Sequence, residues 1–399
     1  MLSILCGMET APEVLPAIEQ AKLVASDGEA GERFGQACAL SNDGDTLVVG
    51  SENDDDGGSG SGAIYIFVRD PSSREWSQQA KLFITDTNLE LGTDVSISDD
   101  GNTVAAGHNG SNNTVYVWKR VGVTWSPLTI PTPSTTGGDF GVSVSLSADG
   151  DVLAVGAPEQ TVSANARAGA VFIYTRSGDT WTEDDRLTKS GPAENDYMGT
   201  QVRLSGNGSY CLAAAGLEPA ASYMGVVFFD NSGWSQQQVL GAGIQPYRPA
   251  VAIDNDADFA YILDGAYNSP ITNSGRIIVY KRTGASWVAI YNAQRPDSLY
   301  PENVRKYIGV SRDGSVLATP NRDSGDINYR TALFVQNGAE EWPSHGVVRG
   351  EEQLDEDSAG TPALSGDGKT LAVGAKLADV GANINQGAVW IFTSSDNLG

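Results

Sequence analysis

The stretch that decides the fold is Phe140-Gly141-Val142-Ser143-Val144-Ser145-Leu146-Ser147-Ala148-Asp149-Gly150-Asp151-Val152-Leu153-Ala154-Val155-Gly156-Ala157-Pro158. It reads as a strand, a tight Asp-Gly turn and a second strand. The same turn recurs as Ser41-Asn42-Asp43-Gly44, Ser98-Asp99-Asp100-Gly101, Ser205-Gly206-Asn207-Gly208, Ser311-Arg312-Asp313-Gly314 and Ser365-Gly366-Asp367-Gly368. A seventh, degenerate copy is Asp254-Asn255-Asp256-Ala257. The turns end at 44, 101, 150, 208, 257, 314 and 368, so successive copies lie 57, 49, 58, 49, 57 and 54 residues apart. That period is longer than a WD40 blade and close to the ~50 residues of kelch-like blades.

Working outward, each turn leads into a short strand of small apolar residues, such as Leu47-Val48-Val49-Gly50 and Leu371-Ala372-Val373-Gly374. Small side chains suit strands that crowd around a common axis. A loop follows, then a β-branched and aromatic strand. Seven such strands run from Ala63-Ile64-Tyr65-Ile66-Phe67 to Ala388-Val389-Trp390-Ile391-Phe392. Six are followed by a turn and a tryptophan opening a fourth strand: Trp76, Trp125, Trp181, Trp234, Trp287 and Trp342. Four strands per repeat and seven repeats predict an all-β, seven-bladed β-propeller with antiparallel blades.

The seventh repeat lacks a fourth strand. Gln20-Ala21-Lys22-Leu23 repeats Gln79-Ala80-Lys81-Leu82, which follows Trp76. Residues 17–25 are therefore expected to complete the last blade and close the ring, removing two open sheet edges. On this reading 17–399 form one domain, and residues 1–16 form an N-terminal tail outside the repeat. The tail's apolar start, Met1-Leu2-Ser3-Ile4-Leu5-Cys6, is expected to pack on the propeller or dock on a partner.

Here the residues carry a family resemblance. Phe34-Gly35 and Phe140-Gly141, taken with Gly156-Ala157-Pro158, resemble the FG-GAP repeat. That repeat builds the seven-bladed propeller of integrin α subunits and of many microbial and viral proteins. Phe-Gly decays to Leu91-Gly92, Met198-Gly199 and Tyr247-Arg248, and Gly-Ala-Pro decays to Gly50-Ser51-Glu52 and Gly374-Ala375-Lys376. The resemblance implies a scaffold for adhesion or assembly. Its calcium loop, D-x-[DN]-x-D-G-x-x-D, is not matched: Ser-x-Asp-Gly offers too few oxygens for six- to eight-fold coordination.

Composition narrows the functions. The 399 residues carry 25 Lys and Arg against 50 Asp and Glu, a net charge of −25. Such a surface repels a phosphate backbone, so no nucleic-acid partner is expected. The 40% hydrophobic and 19% charged content argues against a disordered acidic chain. The 47 glycines, without a G-x-y period, point to many turns. Cys6, Cys38 and Cys211 cannot form a disulfide framework, and Cys38 and Cys211 read as small core residues. Two histidines, His108 and His345, exclude a three-histidine metal site and read as surface residues. No apolar run reaches the ~18 residues of a membrane span. The N-terminus makes a poor signal peptide, lacking a basic start.

Candidate chemistry is sparse. Glu52, Asp54, Asp55 and Asp56 could supply oxygens for a weak calcium site; the plainer reading is a solvated acidic loop. Glu351, Glu352, Asp355, Glu356 and Asp357 form a second acidic run. The turns lack the extra residue and the tryptophan of sialidase Asp-boxes, and the arginines show no obvious repeating set. Neither a nucleophile motif nor a catalytic site is found, so no enzyme and no cofactor beyond calcium is expected. The tryptophans read as recurrent packing rather than sugar platforms.

Recognition is expected on the loops after each second strand: 51–62, 107–113, 157–169, 216–225, 264–275, 320–330 and 375–387. Equivalent positions in a ring share one face. Tyr223, Tyr267 and Tyr329 are the candidate anchors there, with Asn109 and Asn165 as polar contacts. The function expected is non-enzymatic binding of a protein or glycan. The setting expected by analogy is a virion tail, fibre or decoration component, with the tail touching other virion proteins. A secreted or cell-surface microbial adhesin and a carbohydrate-active enzyme are the alternatives.

Overall fold

Seven four-stranded antiparallel sheets follow one another along the chain. The structure, a computed structural model, describes residues 18–110, 114–135, 137–216, 225–240, 249–264, 276–294, 307–322, 329–350 and 361–394. The N-terminal tail lies outside these residues. In blade 1 the strands are Phe34–Leu40, Thr46–Ser51, Ala63–Arg69 and Trp76–Phe83, hydrogen-bonded in that order. Blade 3 repeats this as Ser143–Leu146, Val152–Ala157, Ala170–Ser177 and Thr180–Leu187. The innermost strands of blades 2, 4, 5 and 6 are Val95–Ile97, Gln201–Leu204, Ala250–Ile253 and Gly309–Val310. Blade 7 is composite. Pro362–Leu364, Thr370–Ala375 and Ala388–Thr393 are joined by Ile18–Leu23, which pairs antiparallel with the third of them. No helix occurs among the described residues.

The core is not one mass. Seven apolar clusters each join two neighbouring blades. One of them joins Val389 and Ile391 of blade 7 to Leu47, Val49 and Tyr65 of blade 1, at the same kind of interface as the other six. Fully burying one Val or Leu is worth roughly 1.5–3 kcal/mol, so each interface is a substantial contributor.

The Ser-x-Asp-Gly turn explains itself chemically. In blade 3 the Ser147 hydroxyl donates to Asp149 at 2.5 Å and accepts from the Val152 N–H at 2.9 Å. The same Asp149 oxygen accepts from the Asp151 N–H at 3.0 Å. Gly150 closes the turn at φ 71°, where a Cβ is strained. The Ser and Asp side chains are thus consumed inside the turn. In blade 5, Asp254 takes the serine's part by accepting from the Phe259 N–H at 3.1 Å, and Ala257 adopts φ 56° in place of glycine.

The x residues link the blades. Asn42 N–H donates to Asp99 O at 3.1 Å, Asp99 to Ala148 at 2.8 Å and Ala148 to Gly206 at 2.7 Å. Asn255 donates to Arg312 at 2.9 Å, Arg312 to Gly366 at 3.0 Å and Gly366 back to Asn42 at 2.9 Å. Between blades 4 and 5 the donor slips to Asn207, 3.2 Å from Asn255 O. The result is a closed ring of backbone hydrogen bonds around the axis.

The FG-GAP pattern has an equally direct cause. The Phe-Gly glycine of one blade lies against the Gly-Ala-Pro glycine of the blade before it. A Cβ on Gly156 would sit 2.1 Å from the Gly199 carbonyl oxygen, and one on Gly374 would sit 2.2 Å from that of Gly35. The residue before each Phe-Gly glycine is apolar and buried whether it is Phe34, Leu91, Phe140 or Met198.

Two expectations need correction. His108 is buried, not on the surface: its Nε2 meets the Thr114 carbonyl at 2.7 Å, and Nδ1 accepts from Gly110 N–H at 3.1 Å. The arginines do contain a repeating set. Arg69, Arg120, Arg176 and Arg282 each lie last or next to last in a third strand, with the backbone N–H bonded to the residue after the turn. The first three lie over Trp76, Trp125 and Trp181 at 5.2–5.5 Å from the ring centroid. Those tryptophans are therefore packing elements, with Trp181, Trp287 and Trp342 buried.

Candidate binding site

Each innermost strand starts at one end of the axis and runs to the Ser-x-Asp-Gly turn at the other. The second strand returns, so the loops after it lie beside the starts of the innermost strands. A cavity of about 180 Å³ occupies the axis at that end. Gln36, Asp94, Ser143 and Gln201 reach it from the innermost strands of blades 1 to 4 or the residues just ahead of them. Glu52, Asn109 and Pro158 reach it from loops after second strands. Equivalent loops of different blades thus converge on one face.

Side chains tie this end together. The Asp94 carboxylate accepts from the Ser143 hydroxyl at 2.8 Å and the Val144 N–H at 3.1 Å. Ser143 in turn accepts from Val202 N–H at 3.1 Å, so one relay crosses blades 2, 3 and 4. Gln201 accepts from Val251 N–H at 2.6 Å, extending the linkage to blade 5. Tyr307, just before the innermost strand of blade 6, crosses the axis and donates to the Thr93 carbonyl of blade 2 at 3.0 Å. Burial pushes its phenol well above the ordinary range.

The sequence-predicted residues separate in the structure. Asn109 is exposed at the cavity and donates to Glu90 at 3.1 Å. Asn165 is not at the cavity. It belongs to its own loop turn, where Val162 and Asn165 exchange backbone hydrogen bonds. Tyr329 begins a third strand in blade 6, but its side chain is outside the described residues, as are Tyr223 and Tyr267.

The four acidic candidates do not share one cage. Glu52 pairs with Arg33 at 2.9 Å and Lys376 at 3.3 Å. Asp55 accepts from the Gly60 N–H at 2.6 Å. Asp54 and Asp56 converge with Asp27 on the ammonium of Lys81, at 2.8, 2.6 and 3.0 Å. Asp54 also accepts from the Tyr65 hydroxyl at 2.7 Å. A protein cation thus stands where a metal would. Among the described residues no group of three His, Cys, Asp or Glu is arranged to hold a metal ion. The run from Glu351 to Asp357 lies outside the described residues.

Sequence reasoning missed Asp94, Ser143, Thr93 and Tyr307. A small polar residue opening an innermost strand was the available signal, visible once the register was set. Elsewhere, Cys38 and Cys211 are buried, and desolvation raises the Cys211 thiol to about 12. His108 is pushed down by burial and stays neutral. No helix among the described residues is long and apolar enough to cross a membrane.

Comparison with known proteins agrees with this architecture. Residues 18–67 match the FG-GAP repeat model, from the closing strand through the third strand of blade 1. No curated protein sequence matches the chain significantly. Among solved structures, a putative 6-phosphogluconolactonase from Bacteroides uniformis ATCC 8492 is similar, with a TM-score of 0.54 and 13% identity. The match covers 79% of this chain and 85% of that one. At that identity the likeness is one of fold alone.

Proposed function

We propose, from a seven-bladed propeller carrying an FG-GAP repeat, that this protein is a non-catalytic binding module whose loop face recognises a protein or glycan. The observation that carries the reading is the polar axial cavity, built from several blades and open on the face where the variable loops converge. Rings of this kind use the blades as scaffold and the loops for contact. His108 is doubly hydrogen-bonded within its own loop, and Cys38 and Cys211 are buried, so none of the three is offered at the cavity. The proposed setting, a virion or a microbial surface in adhesion or assembly, rests on the resemblance of the repeat.

The test is affinity capture and a glycan array with the full chain, comparing wild type with an Asn109→Ala, Asp139→Ala variant. Both positions are exposed at the cavity. Binding lost in the variant supports the reading. Binding that survives in it, or turnover of a bound glycan, overturns it.

A further inference from the structure

Resting on that reading, we propose that the axial cavity takes one neutral sugar ring, a single pyranose unit of a glycan. Size comes first. Pockets for drug-sized ligands run roughly 300–1,000 Å³. At about 180 Å³ this one suits a single small ring.

Charge decides the class. No Lys or Arg is among the described residues that line the cavity, whereas Glu52, Glu90, Asp94 and Asp139 are. A phosphate or carboxylate ligand would be repelled at such a site. A cation gains little: Glu52, Glu90 and Asp94 already have partners, and Asp139 adds one carboxylate where a cation cage needs several oxygen ligands. Glu52 is paired with Arg33 and Lys376, and Asp94 accepts from Ser143 and the Val144 N–H with Arg203 at 3.4 Å. Glu90 accepts from Asn109. What remains is a surface of carboxylate and amide lone pairs and donors, which suits hydroxyls that both donate and accept.

A second observation points the same way. Thr93 is among the residues that line the cavity, and its hydroxyl is buried beneath that lining without a hydrogen-bond partner. Buried hydroxyls are ordinarily satisfied, so this one is left for a ligand. Val142 and Pro158 add carbon surface for the C–H face of a ring. Alternating C–H and hydroxyl edges are the chemistry of a pyranose.

Ligand-observed saturation-transfer NMR on the full chain tests this directly. The probes are free glucose, galactose, mannose and N-acetylglucosamine, with arginine amide and inorganic phosphate as counter-probes. A single-ring ligand is expected to bind with a Kd of about 1 mM. At least one hexose should show transfer. Val142→Phe, which fills the cavity, should weaken it about tenfold. Asn109→Ala, at an exposed position, should also weaken it with the melting temperature unchanged, so the result does not depend on how Val142→Phe folds. No transfer to any hexose, transfer unaffected by both variants, or preferred binding of arginine amide or phosphate overturns the proposal. If no hexose binds yet the Asn109→Ala, Asp139→Ala variant loses partner capture, the sugar site fails while loop-face recognition stands.

Discussion

The two ends of the axis are built from the same seven blades and held together differently. At the turn end, backbone joins backbone: the x residues of successive Ser-x-Asp-Gly turns form a closed hydrogen-bonded ring. At the loop end backbone bonds such as Met198 N–H to Ala168 O and His108 N–H to Gly141 O join only some neighbours, and the links that reach the axis run through side chains, Asp94 to Ser143 and Tyr307 to Thr93. A backbone ring requires the same turn geometry in every blade, so the turn must repeat. Side-chain links require only local complementarity, so residues there are free to differ. The Ser-x-Asp-Gly turn therefore marks the end that holds the ring, and at the other end the loops that run on from the Phe-Gly and Gly-Ala-Pro contacts are the part available for recognition.

The largest expected effect comes from removing what both ends share. Deleting residues 1–25 takes away the strand Ile18–Leu23 and exposes the edge of Ala388–Thr393. It also removes Leu23 and Ala25 from the apolar cluster across the blade 7 to blade 1 seam. We expect loss of the cooperative melt in circular dichroism. A truncated protein that melts like the full chain would show that the ring holds without this strand.

Next is the seam's charge cluster, on the loop side. Lys81→Met leaves the buried Asp54 beside two other carboxylates without the shared cation. Partial exposure of Asp27 and Asp56 softens the penalty, so about 2–3 kcal/mol is expected. Chemical denaturation measures it. Calcium should raise the melting temperature of this variant and leave wild type unchanged, because the ammonium already stands among the oxygens. A calcium shift in wild type would place a metal site in the loop after all.

The third prediction probes the weakest turn. Asp254 replaces serine in blade 5, and burial raises its carboxyl from 3.8 to about 7. Below pH 3.8 the group is protonated in both folded and unfolded chains and costs nothing. Between 3.8 and 7 the unfolded chain releases the proton while the folded one retains it, so stability falls as pH rises. Above 7 the cost is complete. Asp254→Ser should therefore stabilise by roughly 2 kcal/mol at pH 8 and about a third of that at pH 5. A gain independent of pH would mean that the carboxyl's ionisation is not what burdens this turn.

Legibility follows the same division. Blade number, strand order and the closing strand could be read because turns and small-residue strands recur at fixed spacing. Glycine positions such as Gly156 and Gly374 carried a message in the sequence because a backbone carbonyl occupies the Cβ space. The cavity was only half legible. Asn109 fell on a predicted loop, but Tyr307 reaches Thr93 across 214 residues of chain, and no local pattern announces such a contact. The acidic loop was half legible for a related reason: Lys81, which pairs with Asp54 and Asp56, comes from the outer strand of blade 1, 25 residues beyond Asp56. His108 looked like a loop residue because the bonds that bury it come from the turning backbone around it.

The smallest effects separate the two ends most cleanly. Ser147→Ala at the turn end removes an acceptor for Val152 N–H and a donor to Asp149. It should cost about 1–2 kcal/mol and leave partner capture unchanged, because the cavity lies at the opposite end. Asn109→Ala removes one exposed bond to Glu90. It should change stability by less than about 0.5 kcal/mol and still weaken capture. Equilibrium denaturation and capture on the same two samples give four numbers. If the turn variant loses binding at full occupancy of the folded state, the ends are energetically coupled through the ring, and the division between holding and recognising fails.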